Sequence, residues 1–339
     1  MISGQRTWTF QNRPVILSAG TAVGPFEGEG LLADDYDVIH EDLWCSQDSY
    51  EKAQKKLFED AANQALDKVS KKPEDVQFIF AGDLSNQITS SSFACRTLCI
   101  PYFGLFGACS TSMEGLALAA FITNCRGADL IMTGAVSHNC VVEKTFRYPT
   151  EYGAQKPPSS QWTVTGAGMA LLAQKGDGPV VTSATIGKVI DMGLSDPYNM
   201  GAAMAPAAVD TITAHLNERG VEPDFYDLII TGDLGKIGRN IALDLFREQG
   251  TEIDPEKFKD CGLLIYNDDQ PVFAGASGAG CSATVLYGHL LRRINNGELN
   301  RILVVATGAL LSPLTYQQKE SIPCIAHAVA IESGGGAES

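Results

Sequence analysis

The feature that most constrains this sequence is that it contains itself twice. The opening segment PVILSA (14–19) returns as PVVTSA (179–184), and FIFAGDLSNQI (78–88) returns as LIITGDLGKIG (228–238). GACSTSM (107–113) is matched by AGCSATV (279–285), and LIMTGA (130–135) by VVATGA (304–309). Each match is short, but four in the same order along one chain are hard to obtain by chance. They set Asp83 against Asp233 and Cys109 against Cys281. The halves meet near Gly176-Asp177-Gly178, which divides the chain into a first half, 1–177, and a second, 178–339. Length agrees, because a single core stops growing before about 250–300 residues.

Within each half, apolar runs of four to six residues such as FIFA, LIIT and ILVVA read as strands buried on both faces. Helical patterns lie between them at Tyr50 to Val69, Ser112 to Cys125, Ala207 to Arg219, Arg239 to Gln249 and Ala283 to Asn295. Strands alternating with helices of this length predict βαβ crossovers and mixed, mainly parallel sheets. The stretch STSMEGLALAAFITNC carries one charge, Glu114, and a helix so apolar all round belongs inside. Its twin SATVLYGHLLRRINNGE turns basic and polar after His289, so its end is expected to reach solvent.

Composition removes several function classes. The net charge of -15, with no basic cluster, speaks against nucleic acid and against direct adhesion to an anionic membrane surface. No run of 18 uncharged apolar residues occurs, the N-terminus shows no secretory pattern, and Ile2 stands where a myristoylation signal needs Gly. A cytoplasmic location is therefore expected. Nine scattered cysteines, mostly in apolar stretches, read as reduced thiols; Cys95 and Cys99 lack a second ligand pair for zinc.

The segment YFGLFG runs through Ala108-Cys109-Ser110 straight into the apolar helix. This places Cys109 at a helix N-terminus, where free N–H groups and the dipole stabilise a thiolate and attract anions. Two readings stay open: a nucleophile elbow, or a small residue at a tight turn.

FGLFGACSTSMEGLALAA resembles the nucleophile segment of the thiolase and ketoacyl synthase superfamily, and ILVVATGALLSP resembles its Gly-rich last loop. That resemblance implies a thiolase-like α/β fold of two duplicated βαβαβαββ halves in an α/β/α/β/α layering, and a homodimer. It also implies a cysteine acylated with help from a His and a second His or Asn. Here the two corresponding loops read Thr231-Gly232-Asp233-Leu234-Gly235 and Ala274-Gly275-Ala276-Ser277-Gly278, with no imidazole in either. More narrowly, GDLSNQITSSSFACRTLCIPYFGLFGACSTSMEGLALA, PPSSQWTVTGAG, MGAAMAPAAVDTI and GDLGKIG resemble the stage V sporulation protein AD family over nearly the whole chain. This implies a non-enzymatic protein that binds dipicolinic acid, with or without calcium. It would act beside membrane proteins of the same operon at the forespore inner membrane. The alternative is a β-ketoacyl synthase or acyltransferase using Cys109 with unconventional partners.

A flat aromatic dianion calls for N–H or hydroxyl donors, a cation and an apolar wall. Loops at strand carboxyl ends offer Asp83, Ser85, Asn86 and Gln87 from one half, and Asp233, Lys236 and Arg239 from the other, with Cys109 between them and Ser277 nearby. Arg239 reads better as a surface charge. Asp83 and Asp233 either cap turns or help to hold calcium. The Pro-rich, aromatic segment Lys144 to Trp162 reads as a loop over the pocket, with Arg147 and Trp162 as ligand contacts or as pins holding it to the body. Among the histidines, His138 follows a strand at a loop that could face a ligand. His215, His289 and His327 read as structural or solvent-facing, and His40 as exposed.

Overall fold

In the computed structural model, which describes residues 1–146 and 156–334, the duplication becomes two five-stranded sets with one topology. The first set is β1 (Val15–Val23), β2 (Phe78–Gly82), β3 (Tyr102–Gly104), β4 (Leu130–Ser137) and β5 (Gly166–Ala173). The second is β6 (Val180–Thr185), β7 (Leu228–Thr231), β8 (Phe258–Asp260), β9 (Arg301–Ala309) and β10 (Cys324–Glu332). Neighbours run β3-β2-β4-β5-β1 in one set and β8-β7-β9-β10-β6 in the other, the same order with each label raised by five. The sets touch edge to edge at β1 and β6 through the register pair Val180–Val15.

The expectation of mainly parallel sheets is corrected. β2 is parallel to β3 and β4, and β7 to β8 and β9, but β4–β5, β5–β1, β9–β10 and β10–β6 are antiparallel and form the longer ladders. β9 and β10, buried along most of their length, pair antiparallel over nine positions and are joined by residues 310–323, which carry the five-residue helix Pro313–Gln317.

The first half supplies α1 (Tyr50–Asp67), α2 (Thr89–Leu98), α3 (Thr111–Asn124) and α4 (Asn139–Phe146). The second supplies α5 (Met200–Arg219), α6 (Gly235–Glu248) and α7 (Ala279–Thr284), which continues through a π-helical stretch, Val285–Leu290, into Leu291–Asn295. α3 packs on β2 and β4 of its own half and on β9 and β10 of the other, while α7 packs on β4 and β5. The two apolar helices thus lie between the sheets and meet where the Ser112 and Ser282 hydroxyls hydrogen-bond at 2.6 Å.

Three helices start well before their patterns indicate, α7 at Ala279 among them. α5 begins at Met200, with Pro206 inside it. α6 begins at Gly235, where the φ of 61° that favours glycine is stabilised because Asp260 accepts from the N–H groups of Leu234 (2.8 Å) and Gly235 (2.9 Å). α5 and α6 cross at Gly201 and Gly238: a Cβ on Gly238 would come within 2.4 Å of the Gly201 carbonyl. Glycines that look like a turn in the sequence are there for close helix packing.

A buried chain of polar groups ties the N-terminal strand Thr7–Thr9 to this body. The hydroxyls of Thr7 and Thr185 are 2.8 Å apart, Thr185 meets His215 Nδ1 at 2.8 Å, and His215 Nε2 meets the Tyr226 hydroxyl at 2.7 Å. Burial lowers the His215 pKa to about 3, so the ring is neutral and acts as a hydrogen-bond joint. Tyr226→Phe would leave His215 Nε2 buried without its partner, and we expect a loss of about 1–3 kcal/mol in denaturant unfolding. An unchanged midpoint would show that the chain carries no stability.

Candidate functional site

The residues that converge around Cys109 come from both halves. β3 leads into a single 3-10 turn, Ala108–Ser110, and then into α3. Ala108 has φ 52°, a left-handed conformation that costs a non-glycine residue energy and is held by its surroundings. Hydroxyls do the holding: Ser110 donates to Gly107 O at 2.6 Å, and Thr111 donates to Ala108 O at 2.7 Å. The end of β9 closes over the turn, since a Cβ on Gly308 would lie 2.6 Å from Gly107 O.

Cys109 is half-buried, and the Asp233 carboxyl acts on its thiol from nearby. Asp233 is 1% exposed. Its Oδ1 accepts from the Thr307 hydroxyl at 2.7 Å, and its Oδ2 accepts from Gly278 N–H at 3.1 Å. The loop that lacks an imidazole therefore delivers a carboxyl to the sulfur instead. Burial, followed by the Asp233 charge, pushes the Cys109 pKa well above the usual thiol range, and the Gly278 N–H offsets this only in part. Burial also raises Asp233 to about 7, against the hydrogen bonds from Cys109 and Thr307. A helix N-terminus alone would favour a thiolate; an adjoining carboxyl in a dry site reverses the sign, and Cys109 is a protonated thiol at neutral pH.

The duplicate aspartate is built differently. Asp83 is fully buried and saturated: Oδ1 accepts from Ser85 N–H at 2.7 Å and from the Ser85 hydroxyl, while Oδ2 accepts from Ser91 N–H at 2.8 Å and its hydroxyl at 2.6 Å. Asp83 and Ser85 thus fasten the start of α2. Asn86 and Gln87 lie beside them at the surface, Gln87 with φ 58°. Among the described residues, no group of three or more His, Cys, Asp or Glu is arranged to hold a metal ion.

The other candidates separate. His138 is buried, with Nε2 2.8 Å from Leu43 O and Nδ1 accepting from Cys140 N–H at 3.2 Å, so both ring nitrogens are used by the backbone. His40, expected to be exposed, is tucked against Asp60 at 3.0 Å with 17% of its side chain accessible, because the acidic excursion folds back onto α1. His289 pairs with Asp35 at 2.6 Å. Trp162 forms a short parallel pair with Ala276, packs on Phe26 at 5.1 Å and carries the Lys156 ammonium 4.6 Å above its ring. Arg147 lies outside the described residues. Lys236 is exposed at the start of α6, whereas Arg239 is pinned by hydrogen bonds to Phe258 O and Pro255 O. Ser277 is half-buried next to Gly278, and its carbonyl accepts from Val164 N–H at 2.9 Å.

Of the predicted residues, then, the structure gathers Cys109, Asp233 and Ser277, with Trp162 on the strand paired to Ala276-Ser277. The partners that sequence reasoning missed are Thr307, Gly278 and Asp260. Thr307 had a signal, since it matches Thr133 in the repeat, whereas Asp260 had none. A further buried acid, Glu27, accepts from the Tyr266 hydroxyl (2.6 Å) and Thr165 N–H (3.0 Å), and burial raises it to about 7.

Comparison with known proteins fits this geometry. A family model described as Stage V sporulation protein AD (SpoVAD) matches residues 4–332. Stage V sporulation protein AD of Bacillus subtilis (strain 168) is 47% identical over 336 residues, covering 99% of each chain. Among solved structures, 3-oxoacyl-[acyl-carrier-protein] synthase III from Aquifex aeolicus superposes with a TM-score of 0.60 at 14% identity, over 94% of this chain and 99% of that one. A Xanthomonas campestris OleA variant bound with cerulenin gives 0.61 at 15%, over 95% and 97%. Human mitochondrial 3-ketoacyl-CoA thiolase gives 0.59 at 13%, over 96% and 100%. At these identities the likeness establishes the thiolase-like fold.

Two measurements check the electrostatics. Peptide-mapped alkylation at about pH 8 should label exposed Cys99 and Cys125 well before Cys109, and Asp233→Asn should speed Cys109 labelling by about tenfold; labelling of Cys109 first in the wild type would contradict the pairing. Stability should also fall as pH rises from 6.5 to about 8. Asp233 and Glu27 keep their protons to about 7 when folded but ionise near 3.8 and 4.5 when unfolded, so the native state binds more protons there and its advantage is lost through the folded pKa. Below 6.5 the buried His215 and His327, lowered to about 3 and 4, act in the opposite sense. Asp233→Asn should flatten the slope above 6.5, and an equal slope in the variant would refute the assignment.

Proposed function

This chain belongs to the stage V sporulation protein AD family, and on that premise we propose that it is a non-catalytic thiolase-fold protein that binds dipicolinate for loading into the developing spore. The observation that carries this reading is the partner of Cys109. In place of a base that would generate a thiolate, the sulfur meets a buried carboxyl that keeps its proton on. The cysteine position of a condensing fold is thus retained while its nucleophile is disarmed, which suits a pocket that holds a ligand without turning it over.

A planar dianion could be met there by weak donors and backbone N–H groups at the start of α3, with the half-buried Ser277 hydroxyl close by and Trp162 behind it. Asp83 and Ser85, saturated by each other and by Ser91, fasten the start of α2, and Lys236 offers an exposed cation from the second half. Arg147 remains an expected contact from its place in the Pro-rich segment, whereas His138 has both ring nitrogens taken by backbone groups. No resident cofactor is part of this reading. Where calcium is bound, it enters as a chelate with the ligand, its coordination completed by dipicolinate, rather than by a cluster of protein carboxylates at Asp83 and Asp233.

The assembly follows from surfaces. β3 is an edge strand with Phe103 50% exposed, followed by Phe106 at 57%, so a second copy would cover apolar side chains and an unpaired strand edge. Among the described residues no helix is long and apolar enough to cross a membrane. We therefore place the protein peripherally at the forespore inner membrane, held by membrane proteins of the same sporulation operon.

One observation favours the competing reading of a β-ketoacyl synthase or acyltransferase. A carboxyl near 7 in hydrogen-bond contact with a thiol has the proton affinity of a general base. Calorimetry with dipicolinate and its calcium chelate, next to intact-mass analysis after incubation with acyl-CoAs, separates the two. We expect saturable heat, no mass increase, and affinity weakened by about tenfold, roughly 1.4 kcal/mol, in Cys109→Ala. A stable acyl adduct on Cys109 with no heat from dipicolinate would replace binding with acyl transfer.

A further inference from the structure

The two halves part along their seam, and the gap is lined by charge of both signs. β1 and β6 pair only at Val15 and Val180. Just beyond, Ile16 N–H bonds to Pro179 O at 2.8 Å, and the next partner on that edge of β1 is Val38–Ile39, beside Ala22 and Val23. Between these contacts lies a cavity of about 530 Å³. Its walls are Leu17 to Ala19 of β1, the connection Asp177–Pro179, and the end of the helical stretch that opens with α7. It lies about a dozen residues along that stretch from Gly278, on the order of 20 Å by helical rise, and none of its lining residues belongs to the Cys109 site.

Most of the charge is spent within the wall. Lys68, just past α1, pairs with Asp37 at 2.7 Å and donates to Ala19 O at 2.6 Å. Arg292 uses Nη1 alone, on Asp35 at 2.8 Å and on Asp34 O at 2.9 Å, while His289 takes the other Asp35 oxygen at 2.6 Å. Among the described residues, Arg292 Nε and Nη2, the Asp177 carboxylate and the Asn295 amide are left without partners, and all three residues line the cavity. Tyr287 lines it too, and its hydroxyl has no partner although the residue is only 3% exposed. It belongs to the π-helical stretch Val285–Leu290, and such widened turns inside helices concentrate at functional sites. A phenol buried without a partner is a cost to the fold that a ligand group can relieve.

We propose that the seam cavity is a second binding site, and that it takes a small zwitterion of amino-acid or dipeptide size. The unused edge of Arg292 receives the carboxylate, Asp177 and Asn295 Oδ1 receive the ammonium, and the Tyr287 hydroxyl gains its missing partner. A simple anion is repelled by Asp177 and a simple cation by Lys68 and Arg292, so the lining favours a molecule that carries both charges. Ile16, Leu17 and Leu291 add an apolar wall for its side chain. The site is independent of the dipicolinate reading, which concerns the other end of the helical stretch.

Calorimetry with the proteinogenic amino acids and their glycyl dipeptides, followed by the N-acetyl and amide derivatives of whichever binds, tests the proposal. At least one zwitterion should bind saturably with a Kd below about 1 mM. Its N-acetyl form keeps only the carboxylate and its amide only the ammonium, and each should bind at least about tenfold more weakly. Tyr287→Phe and Asp177→Asn should each weaken binding by about tenfold. Tyr287→Phe should also keep or raise the melting temperature of the free protein, because it deletes an unpartnered hydroxyl, which separates a lost contact from a lost fold. Absence of saturable heat from every zwitterion would overturn the proposal. So would a singly charged derivative that binds as tightly as its parent, or variants that bind as the wild type does. A lowered melting temperature in Tyr287→Phe would show that the hydroxyl already serves the fold, and would overturn it as well.

Discussion

Two helices with almost no charge have to be hidden from water, and the architecture is the way this chain hides them. α3 and the stretch Ala279–Leu290 that opens with α7 are each too apolar to lie on a surface, so each needs cover on both sides. Duplication supplies it: each half contributes one helix and one sheet, and the helices are enclosed between the two sheets, meeting at Ser112 and Ser282. Because the helices start at the carboxyl ends of the parallel strands, their burial draws the turns before them, and the loops after β7 and β9, into one dry space. Cys109, Asp233, Gly278 and Thr307 come from four separate places in the sequence and are neighbours for this reason.

Dryness then decides the chemistry. In water, a cysteine at a helix start gains thiolate character; in this site the cost of burying charge, together with a carboxyl across from the sulfur, outweighs the helix dipole, whose contribution is about 0.3–1 kcal/mol. The repeated GDL motif shows how far environment governs role. Asp83 meets two serines and is fully satisfied as a cap, while Asp233 meets a threonine, a glycine N–H and a thiol and is left near neutrality. The same three letters give a structural residue in one half and a tunable one in the other.

What could be read from the sequence followed the same physics. The repeat, the buried strands and the apolar helices are statements about hydrophobic pattern, and they gave the layered fold and the turn at Cys109. Parallel versus antiparallel pairing was not legible, because β9 and β10 are apolar enough to serve either way. Helix starts failed where glycine serves packing, as at Gly201 and Gly238. At the site, the absence of imidazoles was visible, but the identity of the group facing Cys109 depends on how loops of separate halves meet. His138 looked like a pocket residue because it follows a strand, whereas the fold folds Leu43 over it and consumes both ring nitrogens.

The proposed role has a carboxylate ligand held non-covalently beside Cys109, with no chemistry at the sulfur. A crystal structure of the protein grown with dipicolinate addresses this most directly. The prediction is a planar ring beside Cys109, a carboxylate oxygen at hydrogen-bond distance from Sγ, and no density joining them. Ligand density elsewhere with the Cys109 cavity empty, or continuous density from Sγ to an acyl group in crystals grown with an acyl-CoA, would contradict it.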